Sequence, residues 1–283
     1  MKANIRIDNA GKPLDGSYLL LWNGPGQWKE EISFPGYSET QVGSKGILFI
    51  KRNADVIPFR IFQLHSALGY GSEGIAWGSF FNQVRRVQET IKKVHERKID
   101  GAKAECVEII TPEKYTREVC IDQTTGTLMR EKQLFRDQRL TPIGSKVFPR
   151  SVALIEHGKS VAEAQITEFK TGEQLPPSLF DPPSGATSRP GCMNPAQGHA
   201  TLRVPPHYPE EDKYAHRQGT VAVYAVIDKS GIPQGLRIVW SAGSSLDKAS
   251  LDAVRQWRYE ATICNGNPVD AETVIEVHYT LSN

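Results

Sequence analysis

The chain lacks any apolar run near the ~18 residues of a membrane-spanning helix. Its apolar stretches, such as Tyr18–Trp22, have strand length. It opens Met1-Lys2-Ala3-Asn4 with no apolar h-region, so no signal-peptide pattern is expected in it. Charge of one sign is also lacking: 34 Lys and Arg against 32 Asp and Glu leave +2 over 283 residues. Residues 1–198 hold +4 and residues 199–283 hold −2. Neither part carries the basic footprint that phosphate neutralisation requires, which excludes a nucleic-acid partner. Metal spacings are missing as well. The four cysteines form no C-x-x-C, and no H-E-x-x-H occurs, so neither a metal nor another cofactor is expected.

What is present is globular. Hydrophobic residues make up 39% and charged residues 23%, enough apolar chain for a core. At roughly 100–200 residues per domain the length suggests two domains. The first fifty residues read as a β-meander: Ser17–Asn23, Gln27–Phe34, Tyr37–Val42 and Ile47–Arg52, with Gly and Pro turns about every ten residues. Phe59–Leu68 suits a short helix. The spacing Phe80, Val84, Val87, Ile91, Val94 predicts an amphipathic helix over that stretch. Strand patterns return at Ala104–Thr111, Tyr115–Asp122, Leu128–Arg139, Lys146–Ile155 and Val161–Phe169. The fold class is therefore α+β: residues 1–174 form a curved antiparallel half-barrel over helices. Prolines at 176, 177, 182, 183, 190 and 195 make residues 175–198 a linker, extended and free of ladder bonds. Residues 199–283 form a small ββαβ unit. Its strands alternate at Val221, Val223, Ala225, Ile227 and at Leu236, Ile238, Trp240. A helix follows, capped by Ser244 with Asp247 in a capping-box-like place, and a last strand alternates at Ile275, Val277, Tyr279 and Leu281.

No enzymatic signal stands out. Gly69-Tyr70-Gly71-Ser72-Glu73-Gly74 matches G-x-G-x-x-G, but a helix fills the interval where a dinucleotide site needs its next strand, so it reads as a flexible glycine loop. His207 and His216 flank Glu210-Glu211-Asp212 in what reads as a solvated face. The cysteines say more. If Thr111 and Tyr115 flank a three-residue turn, Cys106 opposes Cys120 across two strands, close enough for a disulfide. That register also opposes Glu108 to Glu118, which counts against it. Cys192 and Cys264 would then tie the linker to the last unit. The alternative is four free thiols; two disulfides would imply an oxidising compartment.

The last unit resembles the C-terminal domain of the TonB family of energy transducers. Pro206-His207-Tyr208-Pro209 resembles its P-x-Y-P, and Gly219-Thr220-Val221 its G-x-V. Asp228-Lys229-Ser230-Gly231 resembles D-x-x-G, Leu246 to Tyr259 resembles L-D-x-A-x-x-x-A-V-x-x-W-R-F/Y, and Gly266-Asn267-Pro268-Val269 resembles G-x-P-V. The chain departs at Asp212, where a small residue is usual, and at Ala261-Thr262, where P-A is usual. The resemblance implies a periplasmic protein that supports energy-dependent transport. It would bind an extended segment of an outer-membrane transporter by strand addition, through Tyr208, Pro209, Val274, Glu276, Val277, His278 and Tyr279. Inner-membrane motor proteins would be partners if an anchor precedes Met1. A homodimer by strand exchange is left open. The order of elements in residues 1–174 more loosely resembles the LolA-type lipoprotein-carrier half-barrel, a fold-level likeness. It implies an alternative, a lipid or hydrophobic-ligand module, with Trp22, Trp28, Phe34, Phe49 and Phe80 lining a cavity.

Overall fold

The computed structural model describes residues 1–9, 11–24, 26–68, 90–110, 116–132, 136–143, 146–156, 158–170, 172–192 and 199–281. The first unit is built on one antiparallel sheet. Its strands are β1 (Lys2–Asn9), β2 (Lys12–Gly24), β3 (Gln27–Phe34), β4 (Tyr37–Ser44) and β5 (Ile47–Arg52). After helix α1 (Phe59–Leu68) come β6 (Thr90–Ile99), β7 (Ala102–Ile110), β8 (Thr116–Asp122), β9 (Leu128–Lys132), β10 (Arg136–Ile143), β11 (Lys146–Glu156) and β12 (Lys159–Glu168). β13 (Thr187–Pro190) completes the order β13-β5-β4-β3-β2-β1-β12-β11-β10-β9-β8-β7-β6. Neighbouring strands pair antiparallel throughout, and the sheet curves around α1.

The period-2 pleat decides which side chains meet the helix. Ile61 and Leu64 of α1, three apart and so on one face, pack against Ile5, Ile7, Tyr18, Leu20, Ile32, Phe34, Val152 and Ala164. One row of directly paired residues crosses the sheet on this side: Gly16, Ile5, Ala164, Val152, Gln138, Glu131, Val119, Val107 and Val94. It is buried from Ile5 to Glu131 and opens toward β6, where Val94 is 54% exposed.

The second unit comprises β14 (Ala200–Leu202), α2 (Glu210–Tyr214), β15 (Gly219–Ile227), β16 (Pro233–Trp240), α3 (Ser244–Val254), β17 (Arg258–Tyr259), β18 (Thr262–Cys264), β19 (Asn267–Val269) and β20 (Ala271–Tyr279). Its main sheet has the order β16-β15-β20, with both pairings antiparallel. Val221, Val223, Ala225 and Ile227 of β15 and Ile275, Val277 and Tyr279 of β20 pack against Leu246, Val254 and Trp257 on one side. Gly231, with φ of 80°, closes the turn ahead of β16, and a Cβ there would lie 1.8 Å from the Tyr259 carbonyl oxygen. Glycine is required on both counts.

Several expectations are corrected. Ile91 and Val94 lie on strand β6, not on a helix; the rest of that stretch, with Phe80, lies outside the described residues. The helical spacing was met by chance, because a strand at a sheet edge buries too little to impose its own alternation. Gly69–Gly74 also falls outside them. Leu128–Arg139 is two strands rather than one. The linker is not free of ladder bonds: Thr187–Pro190 pairs with Ile47–Ile50, and Pro190 is tolerated because it ends an edge strand. Ser244 does not cap α3. Gly243 holds the N-cap position, and Asp247 instead accepts bonds from the Ser241 hydroxyl at 2.6 Å and the Ala242 N–H at 3.3 Å.

Candidate functional site

A strand in a sheet is either paired on both sides or presents a row of unpaired N–H and C=O groups. β20 pairs with β15 from Gly219↔Tyr279 to Ile227↔Ala271, and no described strand pairs with its other side. Among the described residues, the N–H and C=O groups of β20 that point away from β15 therefore have no strand partner and form an open rim. The pleat sends Ile275, Val277 and Tyr279 to α3, leaving Glu272, Val274, Glu276 and His278 on the opposite face.

That opposite face is covered by the first unit. Phe59, 1% exposed, packs against Ala222 and Val274, with Phe62, Val239 and Trp240 alongside. The Phe59 and Trp240 rings lie 5.8 Å apart. The Arg60 guanidinium stacks 4.4 Å above the Trp240 ring and also grips both carboxylate oxygens of Glu156. β15 is consequently buried on both faces, by α3 and by α1, which explains its near-continuous apolar run.

An ion network beside this apolar contact joins the units. Arg52 of β5 lies 2.6 Å from Glu39 through Nε and donates to both Glu272 oxygens through Nη1 and Nη2, at 2.9 and 3.0 Å. The Tyr224 hydroxyl donates to Glu272 at 2.6 Å, and Tyr37 and Gln41 donate to Glu39 at 2.9 and 2.6 Å. Burial pushes the Glu272 carboxyl up, but the bonds from Arg52 and Tyr224 outweigh it and leave the group below its ordinary value. Burial raises the Tyr37 and Tyr224 hydroxyls, and the adjoining carboxylates raise them further. Farther out, Arg237 bonds Asp55 at 2.9 Å, and the Gln63 amide donates to Glu276 at 3.3 Å.

The residues expected to meet a partner fall into three groups. Glu276 and His278 are exposed beside the rim. Val277 and Tyr279 are buried toward α3 and offer only their backbone. Val274 is 9% exposed, and Phe59 occupies its side chain's surroundings. Tyr208 packs edge-on to Tyr279 at 5.1 Å and donates its hydroxyl to the Arg217 carbonyl, and Pro209 is the N-cap of α2. The acidic run is not wholly a solvated face as expected: Asp212, where the resemblance departs, is fully buried and paired with Arg217 at 2.8 Å, while Glu210 stays exposed. Phe59, Gln63, Arg52 and Glu272 were not foreseen; no sequence signal connects residues some 200 positions apart.

Of the expected cavity residues, Trp22, Trp28 and Phe34 share the face that looks onto α1, with Trp28 and Phe34 buried. Phe49 is on the opposite face, because it pairs with Val42 while Trp28 pairs with Gly43. Both disulfides are formed. Cys106 bonds Cys120 in the foreseen register, and Cys192 bonds Cys264. The opposed Glu108 and Glu118 coexist because Lys92 lies 3.6 Å from the former, while Arg97 and Arg130 lie 3.3 and 2.9 Å from the latter.

Residues 204–281 match the family described as Gram-negative bacterial TonB protein C-terminal. No curated protein matches the chain. Among solved structures, the chain is similar to an outer-membrane lipoprotein-sorting protein domain from Vibrio parahaemolyticus, at 14% identity and TM-score 0.32 over 64% of this chain and 87% of that one. It is similar to a LolA superfamily protein from Nitrosomonas europaea at 14% and 0.33, over 64% and 88%. It is also similar to a chain of the Pseudomonas aeruginosa MucA/MucB complex at 11% and 0.27, over 74% and 66%. At TM-scores below 0.5 these likenesses say nothing of what this chain binds.

Proposed function

We propose that this is a periplasmic TonB-type protein whose β20 rim takes up an extended segment of an outer-membrane transporter by strand addition, in support of energy-dependent transport. The open rim of β20 carries the reading, and the family match of residues 204–281 supports it. Main-chain pairing supplies affinity with little demand on sequence, which suits one protein serving several transporters. The first unit packs on one face of the same sheet, and among the described residues none of its strands pairs with the rim.

The test uses proline, which removes one N–H donor. Successive N–H groups of a strand point to opposite edges, so of Glu276 and Val277 one donates to β15 and the other to the rim. Each is replaced by proline in the full chain. Binding of fluorescein-labelled peptides from transporter N-termini is followed by anisotropy, and folding by thermal melting. The expected outcome is one variant that melts like the parent and binds at least tenfold more weakly. Equal affinity in both variants would sink the reading.

One observation favours a second reading, a hydrophobic-ligand module. Ile91 and Val94 are 65% and 54% exposed, on the α1-facing side of the sheet with Val107, Ile109 and Val119. Native mass spectrometry with added phospholipid checks it; a bare protein at all lipid concentrations would remove it.

A further inference from the structure

The two carboxylates on the outward face of β20 are treated differently by the fold. Glu272 is held by Arg52 and Tyr224. Glu276, four residues on and on the same face, has no Arg or Lys pairing with it among the described residues. It accepts a bond from Gln63 of α1 at 3.3 Å, and His278 lies 3.8 Å away. Its side chain is 36% exposed and stands beside the unpaired edge. Gln63 is itself oriented by Arg60, whose Nη1 donates to its carbonyl oxygen at 2.9 Å. A strand added to β20 must place alternate side chains on this face. One of them would lie directly across from Glu276, at the ~4.5–5.5 Å Cβ separation of opposed residues, with α1 alongside.

We propose that this position selects a cationic side chain, lysine or arginine, on the incoming strand, and that α1 of the first unit forms its second wall. The inference rests on the reading of the rim as a docking edge. Strand addition supplies the affinity, Glu276 supplies the charge preference, and Gln63 of α1 stands beside it as the wall of the position. Opposed unlike charges on a sheet are favourable and like charges unfavourable, so the preference is a modest one, about two- to fivefold.

The experiment uses the full chain and three labelled nine-residue peptides of alternating valine and threonine, with lysine, glutamine or glutamate at the central position, followed by anisotropy. The lysine peptide is expected to bind about two- to fivefold more tightly than the glutamate peptide. Glu276→Gln should abolish the difference and Glu276→Lys should reverse it. Gln63→Glu keeps the side-chain size and the Arg60 contact, adds a second carboxylate beside the rim from the first unit, and should widen the difference. Binding of all three peptides alike overturns this inference and leaves the rim reading standing. Failure of all three to bind overturns both. A difference that Gln63→Glu leaves untouched overturns the role of α1.

Discussion

Glu272 shows how one side chain can belong to two units. It sits on a strand of the second unit, yet its main partner is Arg52 of the first, 220 positions earlier. Its carboxyl is held below the ordinary value of 4.5, so the folded chain binds the proton less readily than the unfolded chain does. A group depressed in this way contributes its stability fully above its unfolded value and loses it as the pH falls through the folded one. The urea midpoint should therefore stay level from pH 7 to about 5 and decline below that, and Glu272→Gln should flatten the part of the decline that this contact causes. The midpoint measured at a series of pH values checks this. Identical acid declines in parent and variant would show that Glu272 does not carry the effect.

Among the elements, α1 is the one with two tasks. Ile61 and Leu64 turn into the half-barrel, while Phe59 and Phe62 turn out to the second unit's sheet. A ten-residue helix has room for both faces, and its apolar residues, Phe59, Ile61, Phe62, Leu64, Ala67 and Leu68, accordingly do not fall in one stripe. Phe59→Ala should cost about 3–5 kcal/mol, because the ring is 1% exposed and packs against Ala222 and Val274, so truncation leaves a cavity between helix and sheet. Denaturant unfolding measures the cost. A loss below about 1 kcal/mol would mean that the units are not packed as described. β6 teaches the opposite lesson: its helical spacing misled because an edge strand exposed on most of its length is under little pressure to alternate.

For the whole molecule, the Cys192–Cys264 bond closes a loop of 72 residues and ties the segment after β13 to β18. Together with the Arg52 network and the Phe59 contact, it joins the second unit to the half-barrel. Replacing both cysteines by serine should lower stability by about 2–4 kcal/mol, chiefly by freeing the unfolded chain. Chemical denaturation of the parent and the double variant measures this. The half-barrel's own Cys106–Cys120 bond provides the internal control, since it closes a loop of only 14 residues and constrains less.

Local pattern alone determined much of this protein. Turn residues and period-2 alternation placed β3, β5, β15 and the strands of the ββαβ order, and a short apolar stretch marked α1, because these signals act over a few residues. The Cys106–Cys120 pairing followed from hairpin register for the same reason. Tertiary structure alone decided that β20 lies at an edge, that α1 covers Ala222 and Val274 on one face of its sheet, and that Phe49 turns away from Trp28. These depend on which strands meet across long stretches of chain. Burial and ion pairing reward that meeting only once the fold has formed.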